Sequence, residues 1–150
     1  MRAVARVAMM LSIGMGTACH HGGDVPAPNG LEQTEAAIMA FAKSGQEWPA
    51  RGGDYSERGF SPLTQINDGN VGRLGLAWVA DVDSHRGLEA TPIMVGGVLY
   101  ITSTWSRVMA FDAKTGKRLW TYDPKVPRGL GNRVCCDVVN RGVAVWNGKV

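Results

Sequence analysis

"TPIMVGGVLYITST", residues 91–104, decides the fold class. Two runs rich in β-branched and aromatic residues meet at Gly96-Gly97, a pair free to take the positive φ angles of a tight hairpin turn. The next stretch, "RVMAFDAKTGKRLWTYD" at 107–123, repeats the scheme around a turn from Asp112 to Gly116, with Gly116 suited to its left-handed position. "GVAVWNGKV" at 142–150 begins a third hairpin whose tip is Asn147-Gly148. Upstream, "LGLAWVADV" at 74–82 is predicted as the first strand. The motif of apolar run, two-residue turn and apolar run in "TPIMVGGVLYITS" returns in "RGVAVWNGKV", so the hairpins form a repeat.

Repeated antiparallel four-stranded units predict an all-β fold of the propeller kind, in which a radial arrangement hides most strand edges. An all-β sandwich is the alternative from periodicity alone. At roughly 40–50 residues per blade, the strand-rich part makes about two blades. Two blades cannot close a ring, and two residues after Gly148 cannot complete a returning strand. The domain is therefore expected to continue past Val150.

The amino-terminal part reads differently. "MRAVARVAMMLSIGMGTAC" has Arg2 and Arg6 ahead of an apolar run from Val7 to Ala18 that is too short to span a bilayer comfortably, followed by small residues and Cys19. Residues 1–18 are predicted to be an export signal that also resembles a lipoprotein signal with Cys19 as the lipidated residue, and the protein is expected in the periplasm, free or anchored through that lipid. Residues 19–47 are predicted to hold a Pro/Gly linker and a short helix within "LEQTEAAIMAFAKSG". In that helix Ala37, Ile38, Phe41 and Ala42 share a face, and Gly45 is the stop. The strand-bearing domain is placed at 48–150. "SPLTQINDGNVGRL" reads as turns with one helical turn started at Asn67 or Asp68.

Composition excludes some partners. A net charge of +3 without a dense Lys/Arg run argues against nucleic acid. No G-x-G-x-x-G fingerprint, P-loop or C-x-x-C-H haem attachment site is present. "CHHGG" at 19–23 lacks further spaced ligands for a metal, and His85 in "DSHRG" reads as a loop residue.

The most unusual feature is Cys135-Cys136 in "RVCCDVVNRG" at 133–142. Neighbouring Cα atoms lie about 3.8 Å apart, short of the usual disulfide span of about 4.4–6.8 Å, so a bond between them closes a strained ring. Two free cysteines in a buried strand are the other reading. In an exported protein such a bond would persist.

"AFDAKTGKRLW" at 110–120 resembles the tryptophan-docking repeat of the quinoprotein dehydrogenases, eight-bladed β-propellers that use pyrroloquinoline quinone (PQQ). In that repeat Gly116 and Trp120 would tie one blade to its neighbour. "RGLEATPIMVGGVLYITSTWSRVMAFDAKTGKRLWTYDP" and "CCDVVNRGVAVWNGKV" are similar to the PQQ-dependent alcohol dehydrogenases, with the quinohaemoprotein branch nearest. "RGGDYSERGFSPLTQINDGNVGRLGLAW" is similar to the same family's amino-terminal segment. The resemblance covers Trp48 to Val150.

The resemblance implies that Cys135 and Cys136 form a disulfide ring lying flat against the quinone, and that Glu89, Arg141 and Val139 bind the cofactor. PQQ carries three carboxylates and two adjacent carbonyls, for which a guanidinium fork is suited recognition chemistry. Asp137 and Asn140 would shape the loop. The implied activity is oxidation of alcohols to aldehydes, with electrons passed to a cytochrome or quinone acceptor and calcium acting as Lewis acid beside PQQ. The catalytic base, the calcium ligands and any haem c domain would lie after Val150, which leaves the 150-residue chain inactive by itself. Two other readings are a non-catalytic propeller lipoprotein anchored through a lipidated Cys19 and a PQQ-dependent polyol or sugar dehydrogenase.

Overall fold

A computed structural model describes residues 35–150. The expected export signal, Cys19, the "CHHGG" cluster and most of the linker lie outside the described residues. The chain forms a helix α1 (Glu35–Ser44), then strands β1 (Ile93–Val95), β2 (Val98–Thr102), β3 (Val108–Asp112) and β4 (Arg118–Tyr122). Among the described residues no helix is long and apolar enough to cross a membrane.

In α1, Ile38 is buried and Phe41 half-buried, as the one-faced pattern requires. The helix stops at Gly45, whose φ is +68° and whose N–H donates to the Phe41 carbonyl at 2.8 Å. That left-handed cap suits a residue without Cβ.

The four strands make one antiparallel sheet in chain order. Gly96 and Gly97 both have positive φ, 60° and 74°, so the β1–β2 turn has the twist that matches its flanking strands. The β3–β4 turn is organised by Asp112, whose Oδ1 accepts from the N–H groups of Lys114 and Thr115 at 3.1 and 2.7 Å. Gly116 completes it with φ +72°. Both expected hairpins are therefore present.

The sheet is covered on both faces. Ile93, Val95, Val98, Tyr100 and Ala110 form one face, packed with Val145 from the downstream segment. Met109 and Phe111 on β3 are also buried, and alternation of side chains places them on the other face. There Trp78, from upstream, stacks on Phe111 with ring centroids 6.4 Å apart. A sheet that takes one neighbour from before it in the chain and another from after it is built like a blade within a ring.

Three expectations change. Residues 74–82 form no strand and pair with none among the described residues. The sheet-facing half of the strand signal is real, since Trp78, Ala80 and Val82 are half-buried between exposed Val79 and Asp81. The backbone lacks a partner ladder. The segment is fastened instead by isolated bonds, with Trp78 Nε1 donating to the Ala113 carbonyl at 3.1 Å and Ser103 Oγ to that of Val82 at 2.7 Å. The helical turn expected at Asn67 or Asp68 is a 3-10 turn over Val71–Arg73, preceded by a turn in which Asn70 and Val71 donate to the Asn67 carbonyl. The third hairpin is reduced to a Trp146–Lys149 bridge around Asn147 and Gly148, both with positive φ.

Candidate functional site

The site is assembled where the end of β2 meets two loops. β2 runs into "TSTWS" at 102–106, where Thr102, Ser103 and Thr104 are buried polar residues. Buried hydroxyls need partners, and these reach outward to both loops. Ser103 holds Val82, while Thr104 Oγ1 donates to Ser84 Oγ at 3.1 Å, fixing the 82–86 loop. Thr102 Oγ1 donates to the Asn140 carbonyl at 3.2 Å, and the Trp105 N–H to the Val138 carbonyl at 2.9 Å, fixing the 137–142 loop. Trp105 and Ser106 both have positive φ, 63° and 55°. For non-glycine residues each such position costs of order 1–3 kcal/mol, and such strain gathers at functional sites.

Cys135 and Cys136 are bonded to each other, with Cα atoms 3.8 Å apart. They lie in a run of turns and are exposed, so the alternative of free cysteines in a buried strand does not describe them. Cys136 and Asp137 have φ of 69° and 64°, turning the chain sharply as it leaves the ring. Asp137 tolerates that region better than most residues.

Two ion pairs join the loops. Arg86 Nη1 donates to Asp137 Oδ1 at 2.5 Å. Arg141 Nε donates to Glu89 Oε2 at 3.3 Å. The Thr91 N–H also donates to the Arg141 carbonyl at 3.1 Å. The pairs are crossed in sign: the first loop supplies cation then anion, the second anion then cation. Arg86 donates a hydrogen bond to Asp137 and holds its carboxyl below the usual carboxylate range, helped by the Val138 N–H. The Arg141 side chain is 80% exposed, and its Nη groups have no partner among the described residues. It is more exposed than Arg86, which commits Nη1 to Asp137.

Asn140 locks the second loop, accepting from the Gly142 N–H at 2.9 Å and donating to Ser106 Oγ at 3.3 Å. Gly142, at φ +134°, passes so close to Thr91 that a Cβ would lie 3.0 Å from its carbonyl oxygen. Val139 is half-buried and lines a cavity of about 150 Å³ with Cys135, Val126, Leu130, Val134 and Trp105. A more polar cavity of about 370 Å³ lies beside it, bounded by Arg86, Arg128, Asn132 and Asp137.

Trp120 packs on Tyr100 of the same sheet, ring centroids 5.9 Å apart. Gly116 lies against Trp78, where a Cβ would sit 2.5 Å from the indole Cδ2. The close approach in this turn is thus made by an upstream tryptophan that the strand-centred reading of the sequence did not single out. Arg86, Trp105 and the buried hydroxyls of 102–104 were also missed. The one signal was the polar run at the end of an apolar strand.

The family model described as PQQ, the glucose/ethanol/alcohol dehydrogenase β-propeller domain, matches residues 48–150. The chain belongs to this family. Among its relatives is the dehydrogenase subunit of alcohol dehydrogenase (quinone) of Gluconobacter oxydans, 52% identical over 84% of this chain and 17% of that protein. Another is the 1-butanol dehydrogenase (cytochrome c) of Thauera butanivorans, 54% identical over 81% of this chain and 17% of that protein. The crystal structure of quinohemoprotein alcohol dehydrogenase from Comamonas testosteroni is similar at TM-score 0.75 and 50% identity, covering 77% of this chain and 17% of that one. The chain spans about a sixth of the length of the curated relatives it matches.

For a PQQ dehydrogenase propeller domain, the residues present suit the cofactor. An exposed sulfur ring offers a flat polarizable surface and no titrating thiol. An accessible guanidinium already oriented by a carboxylate meets the chemistry of a planar tricarboxylate. Among the described residues no three His, Cys, Asp or Glu groups converge for a metal ion.

Proposed function

We propose that this chain is part of a periplasmic PQQ-dependent dehydrogenase that oxidises alcohols to aldehydes and passes the electrons to a cytochrome. The observation that carries the reading is the exposed Cys135–Cys136 ring on a loop bound to its neighbour through Arg86–Asp137 and Glu89–Arg141. Bound PQQ supplies the oxidising quinone that takes up hydride from an alcohol carbon. The work of this chain is to seat and orient it. The disulfide would give a rigid face, Arg141 would donate to a carboxylate of the cofactor, and Glu89 orients the guanidinium through Nε. Val139 and its apolar neighbours line the cavity beside Cys135.

Calcium and the catalytic base belong to this reading as contributions from other parts of the enzyme, as would any haem c. The names of the relatives support an alcohol substrate over a sugar, and the butanol dehydrogenase supports a cytochrome acceptor. The test is to titrate PQQ into the longer protein carrying these residues, then supply primary alcohols and glucose with an artificial electron acceptor. Saturable PQQ binding and faster turnover of alcohols are expected. Absence of PQQ binding, or turnover confined to glucose, contradicts the reading.

A further inference from the structure

Arg86 is a charged residue with a defined partner in the site but no assigned role. Its guanidinium spans 51 residues of sequence to reach Asp137, the residue that follows the disulfide directly. The main chain at that point is the least settled part of the loop. Cys136 and Asp137 are consecutive non-glycine residues at positive φ, and both are exposed. Conformations of this kind persist when surrounding contacts over-determine them. On the downstream side those contacts are plain: the Val138 carbonyl accepts from Trp105, and Asn140 is held twice. On the disulfide side the Arg133 N–H donates to the Leu130 carbonyl at 2.9 Å, but among the described residues Cys135 and Cys136 make no such backbone bond. Arg86 is the side chain that closes it.

Arg86 is itself held. Its own N–H donates to Ser84 Oγ at 3.1 Å, and Ser84 is bonded to buried Thr104. A continuous path therefore runs from β2 through Thr104, Ser84 and Arg86 to Asp137. Arg141 bonds Glu89 through Nε and leaves both Nη groups without a partner among the described residues, whereas Arg86 commits Nη1 to Asp137, so the two arginines divide their tasks. One faces a ligand, the other fixes the loop.

We propose that Arg86 is a positioning residue, which sets the orientation of the Cys135–Cys136 face by holding Asp137 in its left-handed conformation. The proposal rests on the PQQ reading given above, and it assigns Arg86 no contact with the cofactor.

The experiment is a double-mutant cycle on the longer apo-protein, read by equilibrium PQQ binding and by thermal melting without PQQ. Arg86→Met is expected to weaken PQQ binding about fivefold, the size of one exposed ion pair, with little change in apo melting temperature. Arg86→Lys restores part of the loss, because the charge returns without the planar fork. In a Cys135→Ala/Cys136→Ala background, Arg86→Met should have no further effect, since it acts through the ring. Should Arg86→Met fail to fold, Asp137→Asn serves the same comparison, because asparagine also tolerates positive φ. Unchanged affinity in the single variant, or a loss that adds in full to that of the cysteine variant, overturns the positioning role. Failure of the unsubstituted protein to bind PQQ overturns the functional reading instead, so the two failures are separable.

Discussion

Arg141 and Glu89 are 52 residues apart in sequence, yet Nε and Oε2 lie 3.3 Å apart. The contact uses only one edge of the guanidinium, leaving the Nη edge open to a ligand. The two residues therefore have unequal roles, and substitution should separate them.

Arg141→Met should weaken PQQ binding by about 10–100-fold, the range of a lost charge-assisted hydrogen bond. Arg141→Lys should fall between, because an ammonium cannot supply two parallel bonds. Glu89→Gln removes an exposed ion pair and should change unfolding stability by no more than about 1 kcal/mol. Calorimetric PQQ titration with parallel urea melts checks the order. Equal losses for Glu89→Gln and Arg141→Met would show that the carboxylate itself is a principal cofactor contact.

Gly116 and Gly97 have nearly equal φ, 72° and 74°, but different surroundings. A Cβ at Gly116 would run into the Trp78 indole, while at Gly97 nothing lies within 4 Å. Gly97→Ala should destabilise by about 1–2 kcal/mol, the left-handed backbone penalty alone. Gly116→Ala must also displace Trp78 from Phe111 and from the Ala113 carbonyl, so a total of about 3 kcal/mol or more is expected. Denaturant midpoints of the two variants, measured in the longer protein, decide whether the close approach matters. Similar losses would mean that the indole yields freely.

Acid should loosen the 81–83 loop. Arg118 forks onto Asp83 at 2.8 and 3.2 Å, and these hydrogen bonds hold its carboxyl below the usual range. A depressed folded pKa gives stability that is complete above the unfolded value, near 3.9, and is lost as pH falls through the folded one. Glu47 has the opposite sign. Burial raises its pKa against the opposing Gly96 N–H, so its contribution is complete below the unfolded value and fades as pH rises through the folded one. Between about pH 2 and 6, Asp83→Asn should therefore flatten the rise of stability below the unfolded carboxylate value, and Glu47→Gln should remove an opposing fall above it. Urea midpoints across that range provide the check.

How much of this was legible follows from what each feature depends on. Gly96-Gly97 and Asp112–Gly116 declare their turns locally, because positive φ and a side-chain acceptor are properties of those residues alone. The 74–82 stretch shows the limit. Its apolar pattern reports one face against the sheet, which Trp78 makes, but a ladder needs a partner backbone that composition cannot reveal. Cys135-Cys136 stood out by adjacency alone, while its role and those of Glu89 and Arg141 came through the family resemblance. Arg86–Asp137 is the counterpart that neither spacing nor resemblance disclosed, since an exposed arginine next to a loop glycine reads as an ordinary solvated charge.

Expressed alone, the 150-residue chain is expected to show no PQQ-dependent alcohol oxidation, because this reading places the base and the metal in other parts of the enzyme. Acceptor reduction with added PQQ, calcium and butanol measures this directly. Turnover above the cofactor-only blank would relocate the catalytic groups into this chain.

The most direct measurement is PQQ affinity in the longer protein after Cys135→Ala/Cys136→Ala, with folding verified by far-ultraviolet dichroism. If the sulfur ring seats the quinone, affinity should drop at least about tenfold, close to the loss expected for a substantial packing contact. Undiminished affinity in a folded variant would contradict that role.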